Sequence, residues 1–405
     1  MYLHIHHDDG SITSHEINAS CFQQNRYKHT IGYIGTKSKE ANALEIFRAY
    51  FSKSKAILFD ETNRGIASML ESLNISAFKE NSQQSTIFDN KTFALMYFTS
   101  GSTGSPVGAL KSLTHLHSEV KVLQTLLHTY HFKRVIVTVP FIHLYGTILG
   151  LLYPLFCDID IVIKEHFLPY DLLEMIDEQS LVITTPLYLK ALNKLSLNRD
   201  LSTSLFISST APLDKNTIHI FKQKFQSDII QIFGSTETGG IAYKYNDAEI
   251  WKPFDGVSIE QNTQGELKVS SKIVSDILYE NEFKEIAGEM QIFDYIEKEK
   301  EGFRLIGRSS KIFKIAGKRY STIQIENILE DEKNIRKALI FVELDKQALR
   351  GEYLDITLES DYTFTAKEIK KILQKQLSNL KFTMKIKIVN HIPSNQVGKK
   401  LKIGR

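Results

Sequence analysis

Apolar runs of four to eight residues recur along the chain, and between several of them apolar positions step by three and four. The runs predict strands at KAILFD (55–60), FALMYFTS (93–100), RVIVTVP (134–140), DIDIVI (158–163), SLVITT (180–185), SLFISS (204–209) and DIIQIFG (228–234). Leu113, Leu116, Val120, Leu123 and Leu127 form one stripe at helical spacing. Strands alternating with helices predict an α/β fold with layered, largely parallel sheets. After Gly240 the texture changes, and GELKVSS (265–271) and GFRLIG (302–307) read as short antiparallel strands. Beyond Gly307 and Arg308 the pattern predicts helix 322–333, strands 338–344 and 353–359, helix 365–380 and strand 384–389. That is a small α+β unit, so two domains are expected, 1–307 and 308–405, the chain ending in the basic tail VGKKLKIGR.

Composition narrows this little. Lys+Arg of 50 against Asp+Glu of 47 leaves a charge of +3, which gives no ground for a nucleic-acid or membrane partner. The two cysteines, Cys21 and Cys157, are too few and too far apart for a disulfide framework, and a cytoplasmic setting is expected. Val135–Cys157 carries no Asp, Glu, Lys or Arg over 23 residues, long enough to span a bilayer. Pro140, His143, Tyr145 and Pro154 break it, so a buried strand, a loop and a helix are expected instead. MYLHIHHDDGS has no basic and then apolar pattern of a leader.

The most informative stretch is Thr99-Ser100-Gly101-Ser102-Thr103-Gly104-Ser105-Pro106, which follows an apolar strand and precedes the helical stripe. Glycines let successive backbone N–H groups face one concavity, and the hydroxyls add donors, so such a nest accepts phosphate oxygens. No Gly-Lys-Ser/Thr closes it, so it is not a Walker loop. A Ser/Thr/Gly cluster by itself is more often only a loop. The full string, with Tyr97-Phe98 before it, resembles the phosphate loop of the adenylate-forming superfamily, which holds acyl-CoA synthetases, aryl-CoA ligases and adenylation domains of peptide synthetases.

Five further segments match that superfamily in order. Pro140–Gly146 resembles its PxFHxxG segment, with Ile142 for the Phe. Ser208-Ser209-Thr210-Ala211-Pro212-Leu213 is similar to its adenine-side turn, and Gln231–Glu237 to YGxTE. Gly307-Arg308 through Lys314, Gly317, Arg319 and Glu326 resembles the hinge stretch, and Pro393–Lys402 the closing PxxxxGKxxR. Texture in GALKSLTHLHSEVKVL and FRLIGRSSKIFKIAGKR is similar to compact acyl- or aryl-acyl-carrier-protein ligases of aryl polyene-type clusters.

The resemblance implies roles. Thr99–Gly104 would cradle the outer phosphates of ATP. Ser209, Thr210, Ala211, Phe233, Gly234 and Ser235 would line the nucleotide site. Thr236 would reach the α-phosphate, and Glu237 would hold Mg²⁺. Asp294 would take the ribose hydroxyls, although its neighbours Ile292 and Phe293 depart from the family's TGD-like pattern. Arg308 would reach ribose or phosphate. Lys399, singled out over Lys400 by the Pro393–Gly398 register, would be the catalytic lysine of a mobile small domain. Ser310 would be the hinge, with Lys314 and Gly317 beside the thiol tunnel. Val107 stands where a lysine is usual, and Lys111 is the candidate to replace it. Met1–Phe98 is shorter than usual in the family, which would open the acyl pocket or leave a partner to complete it.

His143, Tyr145 and Gly146 would line the acid pocket. No acidic residue lies between Val135 and Cys157 to pair with an α-ammonium, which favours an uncharged acyl or aryl acid. The thiol acceptor would be phosphopantetheine on an acyl carrier protein, or free CoA. Lys367, Lys370, Lys371 and Lys375 share one helix face that suits an acidic carrier, or is simply the wet side of that helix. Transfer to an amine, arrest at the adenylate, an amino-acid substrate and a catalytically reduced scaffold remain open.

Overall fold

The structure, a computed structural model, describes residues 1–35, 38–80, 86–99, 106–263, 265–308, 312–315, 318–344, 352–374, 383–393 and 400. The chain divides into two compact units. The first holds Met1–Ala248, Lys252–Ile259 and Val269–Met290, and the second holds Glu249–Trp251, Glu260–Lys268 and Gln291–Arg405. Position 307/308 lies within the second unit, at the end of strand Gly302–Arg308.

The first unit carries two large sheets. One has nine strands in the order Lys252–Pro253, Gly239–Tyr245, Asp228–Ser235, Leu205–Ser208, Ser180–Thr184, Arg134–Val137, Asp160–Lys164, Tyr2–His6 and Ile12–Glu16. The run from Asp228–Ser235 to Tyr2–His6 is parallel, and the outer strands are antiparallel. The central strands are rich in β-branched residues and leucine, as expected where both faces are covered. Helices Pro169–Met175, Pro186–Asn193 and Lys215–Phe225 pack Leu172, Leu189, Phe221 and Phe225 against Val182, Phe206 and Ile229.

The second large sheet has six strands, ordered Glu282–Glu285, Ile277–Glu280, Val107–Lys111, Leu95–Thr99, Lys55–Leu58 and Ile31–Ile34. Val107–Lys111 runs antiparallel to Leu95–Thr99, with Thr99 opposite Val107 and Leu95 opposite Lys111. This strand was not expected, since the phosphate-loop segment read as passing straight into the helix. The helix itself is present as Leu113–Leu127, capped by Ser112 and His115 in a reciprocal pair. Ser112 N–H donates to His115 Nδ1 at 3.0 Å, and His115 N–H to Ser112 Oγ at 3.2 Å.

The uncharged stretch Val135–Cys157 resolves as expected into a buried strand, a loop and helix. Its helical part runs as Leu144–Thr147, a π-helical turn Ile148–Leu152, and Tyr153–Cys157. Among the described residues no helix is long and apolar enough to cross a membrane.

In the second unit, strands Lys337–Leu344, Glu352–Glu359 and Thr383–Val389 form a three-stranded sheet. Helices Thr322–Glu330 and Ala366–Gln374 cover it through Ile325, Leu329, Ile369 and Leu373. Glu289–Glu299 and Gly302–Arg308 make an antiparallel hairpin in a further four-stranded sheet.

Candidate active site

Ligand sites in open α/β sheets lie beyond the carboxyl ends of the parallel strands, and three predicted segments of the first unit meet there. Leu205–Ser208 and Asp228–Ser235 are adjacent and parallel, with Ser208 opposite Gln231, so the turns that follow them are neighbours. Ser209 Oγ ties the two by donating to Ile232 O at 2.8 Å. Thr210 sits at φ +78°, a strained position for a β-branched residue, and such strain gathers at functional sites. Tyr145 brings the third segment to this edge. Its hydroxyl reaches Thr184 O at 2.9 Å and Ile207 O at 2.8 Å, the ends of two neighbouring strands.

This bonding makes Tyr145 a brace of the strand ends. Burial pushes its phenol pKa upward, so it stays a donor. Tyr145→Phe is expected to lower stability by about 1–2 kcal/mol in urea unfolding, with the acid KM unchanged. A raised KM at unchanged stability would instead place the hydroxyl on the substrate. Gly146 is forced by space, because a Cβ there would lie 2.1 Å from Pro140 O. His143 is the N-cap of Leu144–Thr147, and its pKa is lowered by burial against the opposing pull of Asp60.

The segment Ser235–Gly240 is a tight turn between Asp228–Ser235 and Gly239–Tyr245, and it carries Thr236 and Glu237, both half-buried. Ser235 N–H donates to Thr238 Oγ1 at 3.1 Å, and Thr238 N–H returns to Ser235 Oγ at 3.2 Å. Gly234 faces the opposite strand so closely that a Cβ would lie 2.3 Å from Gly239 O. Three bonds from outside hold the turn, and Lys111 makes a fourth to a neighbouring carbonyl. Lys111 Nζ donates to Glu237 O at 3.0 Å and to Ile273 O at 2.8 Å. Ser275 N–H also donates to Glu237 O, at 2.9 Å. Gly240 N–H donates to Glu119 Oε1 at 2.8 Å.

Lys111 therefore does not replace the lysine absent at Val107. It lies four residues along the strand from Val107, about 13 Å at ~3.3 Å per residue. It is fully buried, and its ammonium is committed to two carbonyls. Of the phosphate loop, Thr99 closes strand Leu95–Thr99, while Ser100, Gly101, Ser102, Thr103 and Gly104 lie outside the described residues.

The second unit holds the other predicted groups. Asp294 is buried, and it stands directly opposite Arg308 in the hairpin of Glu289–Glu299 with Gly302–Arg308. Fourteen residues apart in sequence, the two nucleotide candidates Asp294 and Arg308 are thus cross-strand partners. Lys314 lies in strand Ile312–Ile315 opposite Arg319, while Ser310, Gly317 and Lys399 lie outside the described residues. Lys400 is anchored. Its Nζ donates to Glu326 Oε2 at 3.0 Å, to Glu330 Oε1 and to Ala338 O at 2.7 Å. Burial pulls its pKa down, but Glu326 and Glu330 outweigh that and the net direction is up.

A protein-family model described as AMP-binding enzyme matches residues 30–270, more than half of the 405. The chain belongs to this family. Among its relatives is the 4-coumarate–CoA ligase of Halorhodospira halophila, 23% identical over 311 residues that cover 76% of this chain and 75% of that one. A 3,4-dihydroxybenzoate–[aryl-carrier protein] ligase of Bacillus anthracis is 22% identical over 311 residues, covering 76% and 72%. The o-succinylbenzoate CoA synthetase of Bacillus subtilis, solved with its acyl-adenylate, superposes with a TM-score of 0.82 at 16% identity, over 99% of this chain and 95% of that one. The fold of this AMP-binding enzyme is accordingly the adenylate-forming one that the motifs predicted.

Two residues that hold the turn bearing Glu237 went unassigned or misassigned in the sequence, Glu119 and Lys111. The signal for Glu119 was present: it falls on the apolar stripe of Leu116, Val120 and Leu123, where a charge needs a partner. Among the described residues no three His, Cys, Asp or Glu side chains converge to hold a metal unaided. A nucleotide-borne Mg²⁺ needs only one or two carboxylates, because phosphates and water fill its other positions. Glu237, half-buried on a fixed turn, fits that requirement.

Proposed function

We propose that this AMP-binding enzyme joins a carboxylic acid to a thiol through an acyl-adenylate. A carboxylate oxygen of the acid attacks the α-phosphorus of ATP, and the bond to pyrophosphate breaks. The thiolate sulfur of a phosphopantetheine arm on an acyl carrier protein then attacks the acyl carbon, and AMP leaves. What carries the proposal is the gathering of the Ser209–Ala211 turn, the Phe233–Glu237 turn and the Tyr145 segment at one carboxyl edge of the sheet.

In this proposal Ser209, Thr210, Ala211, Phe233, Gly234 and Ser235 border the nucleotide, and Thr236 donates to the α-phosphate. Glu237 holds Mg²⁺, which offsets phosphate charge when bound. Asp294 accepts from the ribose hydroxyls, and Arg308, its cross-strand partner, serves the same end of the nucleotide. Lys399 neutralises charge on the carboxylate and α-phosphate as they meet, a preorganised electrostatic role of the most effective kind. Residues 308–405 form the mobile small domain, with Ser310 as hinge and Lys314 and Gly317 along the path of the thiol.

An uncharged acyl or aryl acid fits His143, whose lowered pKa keeps it neutral near pH 7. Asp60, which acts electrostatically on His143, favours an amine-bearing acid as the second class. Carrier protein is preferred over free CoA because Lys367, Lys370 and Lys371 are exposed on helix Ala366–Gln374, opposite the buried Ile369 and Leu373. ATP–pyrophosphate exchange against short fatty, 3-hydroxy, benzoic, cinnamic and amino acids tests the first step. Exchange with one class is expected, followed by thioester formation on a carrier protein in preference to CoA. Absence of exchange with every acid, carrier protein present or not, would promote the scaffold reading.

A further inference from the structure

The turn bearing Glu237 is held by two buried charged side chains from two different elements. Lys111 ends the strand Val107–Lys111, and Glu119 sits in the middle of the helix Leu113–Leu127 that follows it. Lys111 is fully buried and Glu119 is 9% exposed. They grip the turn at points three residues apart: Lys111 at the carbonyl of Glu237, Glu119 at the N–H of Gly240. Glu119 Oε2 is buried without a hydrogen-bond partner, so this carboxylate is not placed there for its own satisfaction. Packing alone would be served by apolar side chains at both sites, since burying charge is costly. Burial pulls Lys111 down to about 8 and pushes Glu119 up, and each charge opposes the shift of the other. The helix is itself fastened, because His115 Nε2 meets Asp276 Oδ2 at 3.1 Å.

We propose that Lys111 and Glu119 are positioning residues that hold the Glu237 turn in register with the strand leaving residues 100–105, and so set the carboxylate where a metal–nucleotide complex binds. This rests on the function proposed above and adds a requirement to it. The strand Val107–Lys111 begins where the candidate phosphate loop ends and finishes on the carbonyl of the candidate metal ligand.

The test is calorimetric titration of ATP into the full chain, once with Mg²⁺ and once with a chelator, without any acid. For wild type, Mg²⁺ tightens ATP binding. In Lys111→Met and Glu119→Ala that gain shrinks by roughly tenfold, while chelated ATP binds about as in wild type, because each variant removes a charge-assisted bond to the turn. Glu119→Gln keeps an oxygen for Gly240 N–H and retains the gain. A general structural role would weaken both titrations equally and would overturn the inference. So would an unchanged gain in the folded variants. If Lys111→Met does not fold, Lys111→Gln, which still donates to one carbonyl, shows a smaller loss, and no loss there overturns the inference. A wild type without any gain from Mg²⁺ overturns both this inference and the metal role of Glu237; a wild-type gain that the variants share overturns this inference alone.

Discussion

Replacing Lys399 with alanine is expected to lower acid-dependent ATP–pyrophosphate exchange by roughly a hundredfold to a thousandfold, the loss seen when one preorganised charge-stabilising donor is removed. Folding stability is expected to stay unchanged. The neighbouring lysine shows the opposite pattern. Lys400 is half-buried between Glu326 and Glu330 and is tied to helix Thr322–Glu330 and, through Ala338 O, to strand Lys337–Leu344. Glu326 meanwhile accepts from Ile340 N–H at 3.0 Å, and Glu330 from Ala338 N–H at 2.8 Å. Lys400→Ala leaves two carboxylates without their cation and costs about 3 kcal/mol of stability. Urea unfolding and exchange assays on the two variants decide the matter. An inactive but stably folded Lys400→Ala beside a fully active Lys399→Ala would transfer the catalytic role to Lys400.

Gly234→Ala has the second large effect, and it acts through backbone. The new Cβ would meet Gly239 O at 2.3 Å and both Gly239 C and Gly240 Cα at 3.1 Å, so no side-chain rotation relieves it. The hairpin already departs from regular register between Phe233 and Gly234. Opening it further displaces the turn that carries Thr236 and Glu237. Overpacking of this kind costs about 1–3 kcal/mol. A displacement near 1 Å is enough to lower exchange by roughly a hundredfold. Wild-type exchange in a folded Gly234→Ala protein would show that the hairpin yields elsewhere and that the turn tolerates the shift.

The contrast between Lys399 and Gly234 shows what the sequence discloses. The parallel strands were legible because each is a short apolar run between turn residues, and Leu113–Leu127 because its stripe is unbroken. Tyr2–His6 was hidden by its polar positions. Leu3 and Ile5 are buried, but histidines alternate with them and mask a strand of five residues. Val107–Lys111 was hidden for a related reason, since a glycine and a terminal lysine read as loop. Motif residues were legible through their order and spacing. Their supports were not. Lys111 and Glu237 are 126 positions apart, Glu119 and Gly240 are 121 apart, and nothing local at either end names the other. Tyr145 shows the complementary case: motif context placed it in the acid pocket, whereas its hydroxyl is spent on Thr184 O and Ile207 O.

The π-helical turn Ile148–Leu152 joins the segment bearing His143 and Tyr145 to the helix Tyr153–Cys157. A π-turn holds one residue more than an α-turn, so it behaves as a single-codon insertion inside a helix. Deleting that residue would restore regular winding and leave the segments on either side close to their present orientation, because the wider turn is what absorbs the extra residue. A one-residue change of length can therefore be taken up at this turn without re-aiming the wall of the proposed acid pocket.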